Sequence, residues 1–234
     1  MKASDNPFTS LLVVEGSAPA SPSSGDQRLF VDSADHLLKL KNSGGTVTSV
    51  GGGGGSGALA LLEQHTASGS ASLDFTTALS ATYDEYLIEL IDLVPATNGT
   101  DLQLVVSTDG GSTWLAGTNY RWGVSVLWNT GNPNGYQASG GARVSMTGYE
   151  AGGVSNTASE GGYGGSCRLF NPLGTTAAKR LQWQGGARMG DGNFGVFTGA
   201  AQVLTTSAVN AIRFKQASGN IASGTIRVYG IAKS

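Results

Sequence analysis

Apolar and polar residues alternate with a period of two over much of the chain, and this pattern predicts β-strands. Side chains on a strand point alternately to opposite faces of a sheet, so one apolar set can be buried while the other faces solvent. Clusters of Gly, Ser and Asn separate the alternating segments, as expected for turns between antiparallel strands. We therefore expect an all-β fold whose main part is an antiparallel, jelly-roll-like β-sandwich. The clearest alternating segments are Leu102–Val106, Leu181–Gln184, Ile212–Lys215 and Ile226–Tyr229.

Two segments are harder to assign. The apolar positions of residues 83–94 fit a helix about as well as a strand buried on both faces. We predict a strand, because turn-rich sequence flanks the segment. Residues 130–165 are rich in glycine, and we predict long loops there. Tyr120–Trp128 is predicted to be a strand that leads into those loops.

The beginning of the chain is predicted to be an extended arm. Residues 1–26 contain several prolines, which interrupt any helix. The one apolar run in this arm is too short to fold alone, so we expect it to dock on a partner; the alternative is a frayed terminus. That run consists of Leu11, Leu12, Val13 and Val14.

Residues 27–50 are predicted to form a small β-meander. Its strands are Arg28–Val31, Leu37–Lys41 and Thr46–Val50, with polar turns between them. Three short strands bury too little apolar surface to be stable alone. We expect the meander to associate with copies of itself as a threefold prism. The residues expected to mediate these contacts are Leu29, Phe30, Val31, Leu38 and Leu40.

A run of glycines, Gly51–Gly57, divides the chain into two unlike parts. Its sequence, GGGGGSG, has little tendency to hold one conformation and is typical of a flexible linker. We therefore predict three segments. Residues 1–50 are an anchoring and trimerising arm, residues 51–57 are a linker, and residues 58–234 are a β-sandwich outer domain.

The composition narrows the classes of function. Charged residues make up 13% of the 234 residues and the net charge is −2, so we expect no non-specific binding of nucleic acid, which needs a basic surface. One cysteine, Cys167, cannot form an internal disulfide, and no Cys/His cluster for a metal is expected. No segment resembles a signal peptide or a membrane span, so we expect synthesis in a reducing cytosol without membrane insertion.

The segment Ser107–Trp114, STDGGSTW, resembles the Asp-box turn that recurs in sialidase propellers. Asp109 is expected to accept hydrogen bonds from backbone amides, Gly110 and Gly111 to permit positive φ, and Trp114 to fold back on the hairpin. A single copy predicts a structural turn rather than a catalytic propeller. Asp109, Gly111 and Trp114 are its key residues.

The candidates for catalysis are weak. His36 and His65 lie on opposite sides of the glycine run, and neither neighbours an evident partner. Cys167 lies in a predicted strand, where a buried thiol is the usual role. No glycine string matches a phosphate-binding loop. We expect no enzyme activity, no metal and no cofactor.

An acidic cluster leaves one enzymatic alternative open. It could serve a glycosidase, with Asp84 and Glu89 as the carboxylate pair, or it could bind a hard cation. A solvated strand edge is the simpler interpretation. The cluster consists of Asp84, Glu85, Glu89 and Asp92.

Several aromatic residues are candidates for carbohydrate contact. Aromatic faces stack on sugar rings, and Tyr120, Trp122 and Trp128 lie on one predicted strand. The alternative is that they belong to the core, as aromatic residues on sandwich strands usually do.

Parts of the chain resemble virion proteins of tailed bacteriophages. The arm segment Pro22–Val47, PSSGDQRLFVDSADHLLKLKNSGGTV, resembles the start of fibre, minor tail and head-decoration proteins. In the body, Phe75–Pro95, Leu104–Trp114 and Gln216–Gly230 resemble a β-sandwich domain of phage fibres. The similar segments cover about a third of the chain.

The resemblance implies a homotrimer that is assembled in the host cytoplasm and becomes part of the virion. Its arm would bind other virion proteins, while the sandwich would project outward and contact a host-surface glycan. It brings no catalytic residues. Three alternatives stay open: a capsid decoration or head-fibre protein with a stabilising role only, a glycan depolymerase, and a soluble lectin-like module.

Overall fold

The structure, a computed structural model, describes residues 15–50, 59–131, 133–148 and 152–232. The chain divides into two compact units, Met1–Ser56 and Gly57–Ser234. The boundary falls within the glycine run. Leu11 to Val14, the predicted docking segment, lie outside the described residues.

The N-terminal unit contains one small sheet. Its strands lie in chain order, with β1 parallel to β2 and the remaining neighbours antiparallel. The three strands predicted from sequence are confirmed with slightly different bounds, and the short β1 was not predicted. The strands are β1 (Glu15–Gly16), β2 (Gln27–Asp32), β3 (Leu38–Asn42) and β4 (Val47–Ser49).

The C-terminal unit contains twelve further strands in its described part. The first six are β5 (Leu59–Ser70), β6 (Leu73–Phe75), β7 (Glu85–Pro95), β8 (Leu102–Ser107), β9 (Tyr120–Trp128) and β10 (Pro133–Gly141). The others are β11 (Val144–Ser145), β12 (Tyr163–Phe170), β13 (Lys179–Arg188), β14 (Phe194–Val203), β15 (Ala211–Gln216) and β16 (Ile221–Ile231).

These strands form two antiparallel sheets. The large sheet has eight strands in the order β10-β9-β14-β13-β12-β7-β16-β5, and the small sheet has four in the order β11-β8-β15-β6. The predicted all-β sandwich is confirmed. In the described residues the one helical element is a 3₁₀ turn, Ala158–Glu160, and no helix there is long and apolar enough to cross a membrane.

One apolar core lies between the two sheets. On β13, Leu181 and Trp183 are buried while Gln182 and Gln184 are exposed, as the alternation predicted. On the small sheet, Phe214 is fully buried in the same cluster. The large sheet therefore has one face in the core and one face in solvent.

Residues 83–94 are confirmed as mainly strand, within β7. Tyr86, Ile88 and Leu90 are buried, while Leu87 and Glu89 alternate with them and are half-buried. The segment is therefore not buried equally on both faces. A helix is ruled out because both edges of β7 pair with neighbouring strands.

The prediction of long loops over residues 130–165 is wrong in part. The segment contains β10, β11 and the start of β12. The glycines of β10 do not prevent strand pairing, because the backbone of β9 supplies the hydrogen-bonding partners for this edge strand. At Gly165 a side chain would be harmful, since an added Cβ would lie 2.3 Å from the carbonyl oxygen of Gln184. Glycine there permits close approach of β12 and β13.

The core also depends on a glycine beneath a tryptophan. Gly199 of β14 pairs with Trp183 of β13, and an added Cβ would lie 2.2 Å from the indole ring. The Trp183 ring is fixed further because its Nε1 donates a hydrogen bond to the carbonyl oxygen of Met146 (2.8 Å). The ring therefore occupies the space that a side chain at position 199 would need.

We predict that Gly199→Ala lowers the free energy of unfolding by about 2 kcal/mol, because it overpacks the core against a ring that cannot move freely. Gly164→Ala is the matched control, since an added Cβ at Gly164 meets nothing within 4 Å. Thermal and denaturant unfolding of both variants measure the difference. Equal stability of the two variants would contradict the packing at Gly199.

Candidate functional site

Four apolar side chains share one face of the N-terminal sheet. Strand pairing sets Leu29 opposite Leu40 and Val31 opposite Leu38. Leu29 is 40% exposed and the other three are half-buried. We call Leu29, Val31, Leu38 and Leu40 the apolar arm face. Within the described residues, this face is only partly buried by its own unit.

The opposite face of this sheet is better covered. Phe30 lies there and is 7% exposed, and Pro22 in the preceding segment is buried as well. Lys41, also on this face, donates a hydrogen bond from Nζ to the carbonyl oxygen of Pro19 (2.9 Å), which holds that segment in place. Phe30 therefore packs within its own unit, unlike the other residues predicted to mediate association.

The expectation that neither histidine has a partner is wrong. His36 Nδ1 contacts Glu15 Oε1, because β1 lies beside β2 and its following turn. His65 Nε2 lies 2.7 Å from Glu63 Oε1, two residues away on the same face of β5. The Glu63 carboxylate also accepts a hydrogen bond from Thr77 Oγ1 (2.9 Å). The Thr77 hydroxyl thus bonds to the Glu63 carboxylate rather than to the His65 imidazole. A hydroxyl that is activated as a nucleophile would instead bond to the imidazole base.

The Asp-box segment forms a hydrogen-bonded turn after β8. The Asp109 carboxylate accepts hydrogen bonds from Ser107 Oγ (2.6 Å), Thr113 N (2.8 Å) and Thr113 Oγ1 (2.6 Å). Gly110 and Gly111 have φ of 73° and 90°, which residues with a Cβ rarely adopt. The predicted role of Asp109 as an acceptor of a backbone amide is confirmed, and the turn is structural.

Trp114 completes this turn by packing back over it. An added Cβ at Gly111 would lie 2.9 Å from Thr76 Cγ2 and 3.3 Å from the Trp114 ring, so a side chain there would be crowded by both residues. The Arg213 guanidinium lies 4.3 Å from the centroid of the same ring and also binds Asp74 Oδ1 through Nε (2.7 Å). These contacts connect the turn to β15 and β6 of the small sheet.

The aromatic residues predicted to contact glycan are mostly core. Tyr120 is fully buried; its hydroxyl donates to the carbonyl oxygen of Leu115 (3.1 Å) and accepts from Val106 N (3.0 Å). Trp122 is 8% exposed, and Trp128 is half-buried against the core. Tyr120 and Trp122 offer no free ring face for a sugar, because the alternation of β9 directs them inward.

Two carboxylates of the predicted acidic cluster lie on the outer face of β7 and face cations or donors. Glu85 forms an ion pair with Arg168. Glu89 Oε2 accepts a hydrogen bond from the Tyr229 hydroxyl (3.0 Å) and lies 3.9 Å from Arg227 Nη1. Within the described residues, no group of three His, Cys, Asp or Glu side chains could hold a metal ion. These contacts favour a structural role over a catalytic pair.

A groove runs over the solvent face of the large sheet from β12 to β10. Three depressions of about 630, 380 and 600 Å³ share lining residues and therefore lie next to one another. Gln182 lines the first and second, Arg180 the second and third, and Gly123 and Ala200 the first and third. We call this the outer-face groove. Small residues form its floor, and arginine and glutamine side chains rise beside it.

Sequence reasoning did not single out the polar residues of the outer-face groove, although the candidate Trp122, which is 8% exposed, is among the residues that line it. The available signal was the alternation of β13, which places Arg180, Gln182 and Gln184 on the solvent face. That pattern was used only to predict the strand. Outward-facing glutamines are common, so they mark a site only when strand order brings further polar residues beside them.

Comparison with known proteins gives no relative from which a function could be taken. The chain matches no protein-family model, no curated protein and no solved structure.

The Asp109 turn predicts a specific acid dependence. Hydrogen bonds from Ser107 and Thr113 lower the pKa of Asp109 from 3.8 to about 2. Because the folded-state pKa is lower than the unfolded one, this carboxylate stabilises the fold fully above the unfolded pKa. That stabilisation is lost as the pH falls through about 2.

We therefore expect Asp109→Asn to lower the melting temperature at about pH 5 and to have a smaller effect at about pH 2, where the Asp109 carboxylate is already partly protonated. Melting curves of the two proteins across this range measure the effect. A difference in melting temperature that is the same at both pH values would contradict the assigned hydrogen bonds.

Proposed function

We propose that this chain is a structural subunit of a bacteriophage virion, a homotrimeric fibre or decoration protein. Its arm attaches to other virion proteins, and its β-sandwich faces outward towards a host-surface glycan. The observation that carries this proposal is the apolar arm face. It is a partly exposed apolar surface on a unit that we expect to be too small to be stable alone, and a flexible sequence joins that unit to a domain with its own core.

The energetic argument starts from the size of the N-terminal sheet. It has four short strands, and one of its faces is covered mainly by the chain segment that includes Pro19 and Pro22. A sheet this small needs further apolar burial to be independently stable. Leu29, Leu38 and Leu40 supply a surface that copies of the same sheet would bury around a common axis.

The C-terminal unit differs in this respect. It buries a continuous core between two sheets. Although Leu127 and Val196 are exposed on this unit, its core lies within one chain, which suits a domain that projects from a particle. Between the units, Gly51–Gly57 has the composition of a flexible linker and would allow the outer domain to reorient.

The tail-fibre and head-decoration alternatives share this design and differ in where the arm attaches. The depolymerase alternative gains no support from Glu89, which is bound by Tyr229 and Arg227. The lectin-like alternative leaves the apolar arm face without a purpose. Attachment to a particle accounts for both units.

We expect the purified full-length chain to have the mass of a trimer in light scattering. The double substitution Leu29→Ser, Leu40→Ser should shift it to a monomer, because it replaces a cross-strand apolar pair at the centre of the arm face. Leu127→Ser is the matched control: Leu127 is 49% exposed on the C-terminal unit, and its loss should leave the mass unchanged. A monomeric wild-type chain would overturn the trimer.

The attachment role has its own test. Deleting residues 1–50 should abolish incorporation into phage particles that carry this chain, while the truncated protein remains folded by circular dichroism. Gold labelling of intact particles then distinguishes the two locations, since label on the tail favours a fibre and label on the head favours a decoration protein. Normal incorporation of the truncated chain would refute the anchoring role of the arm.

A further inference from the structure

The outer-face groove places two arginines in line across three neighbouring strands. Arg180 of β13 pairs with Gln202 of β14, and Gln202 pairs with Arg121 of β9. Side chains at paired positions point to the same face, so all three lie on the solvent side of the large sheet. Adjacent strands are about 4.8 Å apart, which sets the two arginine backbones about 10 Å apart.

These two arginines differ from others on the same face because their charge is not neutralised. Arg168 pairs with Glu85, and Arg188 lies 3.7 Å from Glu160. Arg121 and Arg180 make no ion pair with any described residue, although Arg121 Nε donates a long hydrogen bond to the carbonyl oxygen of Ser139 (3.4 Å). The centre of the groove is therefore positive on a chain whose net charge is −2.

The groove also presents neutral hydrogen-bonding groups. Gln182 and Gln184 are exposed beside Arg180, and neither side chain bonds to another described residue. Each amide offers two donors and one acceptor oxygen, a combination that suits hydroxyl groups. The sheet fixes the backbone beneath them, so these groups are held in a regular array.

An aromatic surface lies at one end of the groove. Phe170 of β12 pairs with Arg180 and is half-buried on the same face, and both residues line the depression of about 380 Å³. The Arg168 guanidinium lies 5.7 Å from the Phe170 ring centroid, which helps to position the ring. Phe170 was not among the aromatic residues predicted to contact sugar.

We propose that the outer-face groove binds an acidic carbohydrate, a glycan that carries carboxylate groups. Arg180 and Arg121 bind the carboxylates, Gln182 bonds to ring hydroxyls, and Phe170 contacts the apolar face of one sugar. A guanidinium binds a planar carboxylate through two parallel hydrogen bonds, which gives both strength and orientation.

A nucleic acid is a poorer fit to the same surface. Binding a phosphate backbone depends on many basic contacts, and the groove offers two uncompensated arginines on a slightly acidic chain. In and beside the groove, amide side chains outnumber these two arginines. The groove thus suits a ligand with many hydroxyls and few charges.

This inference deepens the proposed function and rests on it only for the biological source of the glycan, a host surface. Binding itself depends on the C-terminal unit alone. The oligomeric state and the glycan affinity can be measured on the same full-length sample, so failure of one is distinguishable from failure of the other.

The test is calorimetric titration at low salt with two carboxylated probes, oligogalacturonate and oligosialic acid. We expect the protein to bind at least one of the two probes. Replacing that probe by its uncharged methyl ester should lower the affinity roughly tenfold. Arg180→Gln should cause a loss of similar size. Arg180→Lys should retain part of the affinity, because it keeps the charge but not the planar fork.

Arg227→Gln is the matched control. It removes the same charge from the same sheet face at β16, outside the groove, and should leave the affinity unchanged. Melting curves establish that each variant is folded. Binding of neither acidic probe, equal binding of the ester, or tighter binding of oligothymidylate would each overturn the proposal.

Discussion

The structure depends on the requirement that one face of the large sheet be buried against the small sheet. Because side chains alternate strictly along a strand, burying Leu181 and Trp183 forces Gln182 and Gln184 into solvent on the other side. A slip of one residue in pairing would exchange the two sets, so core packing fixes the register. The same constraint that builds the core therefore also sets the chemistry of the exposed face, where Arg180, Gln202 and Arg121 come into line.

The N-terminal sheet obeys the same alternation with a different result. Its apolar side chains are divided between two faces, and the short chain segment around Pro19 covers the face that contains Phe30. Leu29 and Leu40 are left on the other. The C-terminal unit encloses a large apolar core within a single chain, although Leu127 and Val196 stay exposed on it, whereas the N-terminal sheet has no such core. This difference in core size supports the proposal that the first unit mediates assembly and the second recognition.

The sequence was sufficient for the fold class because the evidence for it is local. The alternation over Leu181–Gln184 predicts a strand and its buried face without knowledge of its neighbours. The strand β10 was missed because an edge strand needs only the backbone of β9, and its glycines carry no alternating pattern. The groove could not be predicted, since Arg121 and Arg180 become neighbours only through the strand order. Tyr120 illustrates the opposite error: its residue type favoured ligand contact, although its position on β9 already placed it inside.

The single cysteine has a practical consequence. Cys167 is buried on β12, and burial raises the pKa of its thiol to about 12. Thiolate is the form that reacts with alkylating reagents, so the folded chain is a nearly unreactive background for them. A cysteine introduced at an exposed position could carry a fluorophore or a spin label without prior removal of the native one. The native thiol would meanwhile report the opening of the sandwich, because it becomes reactive only when β12 separates from its neighbours.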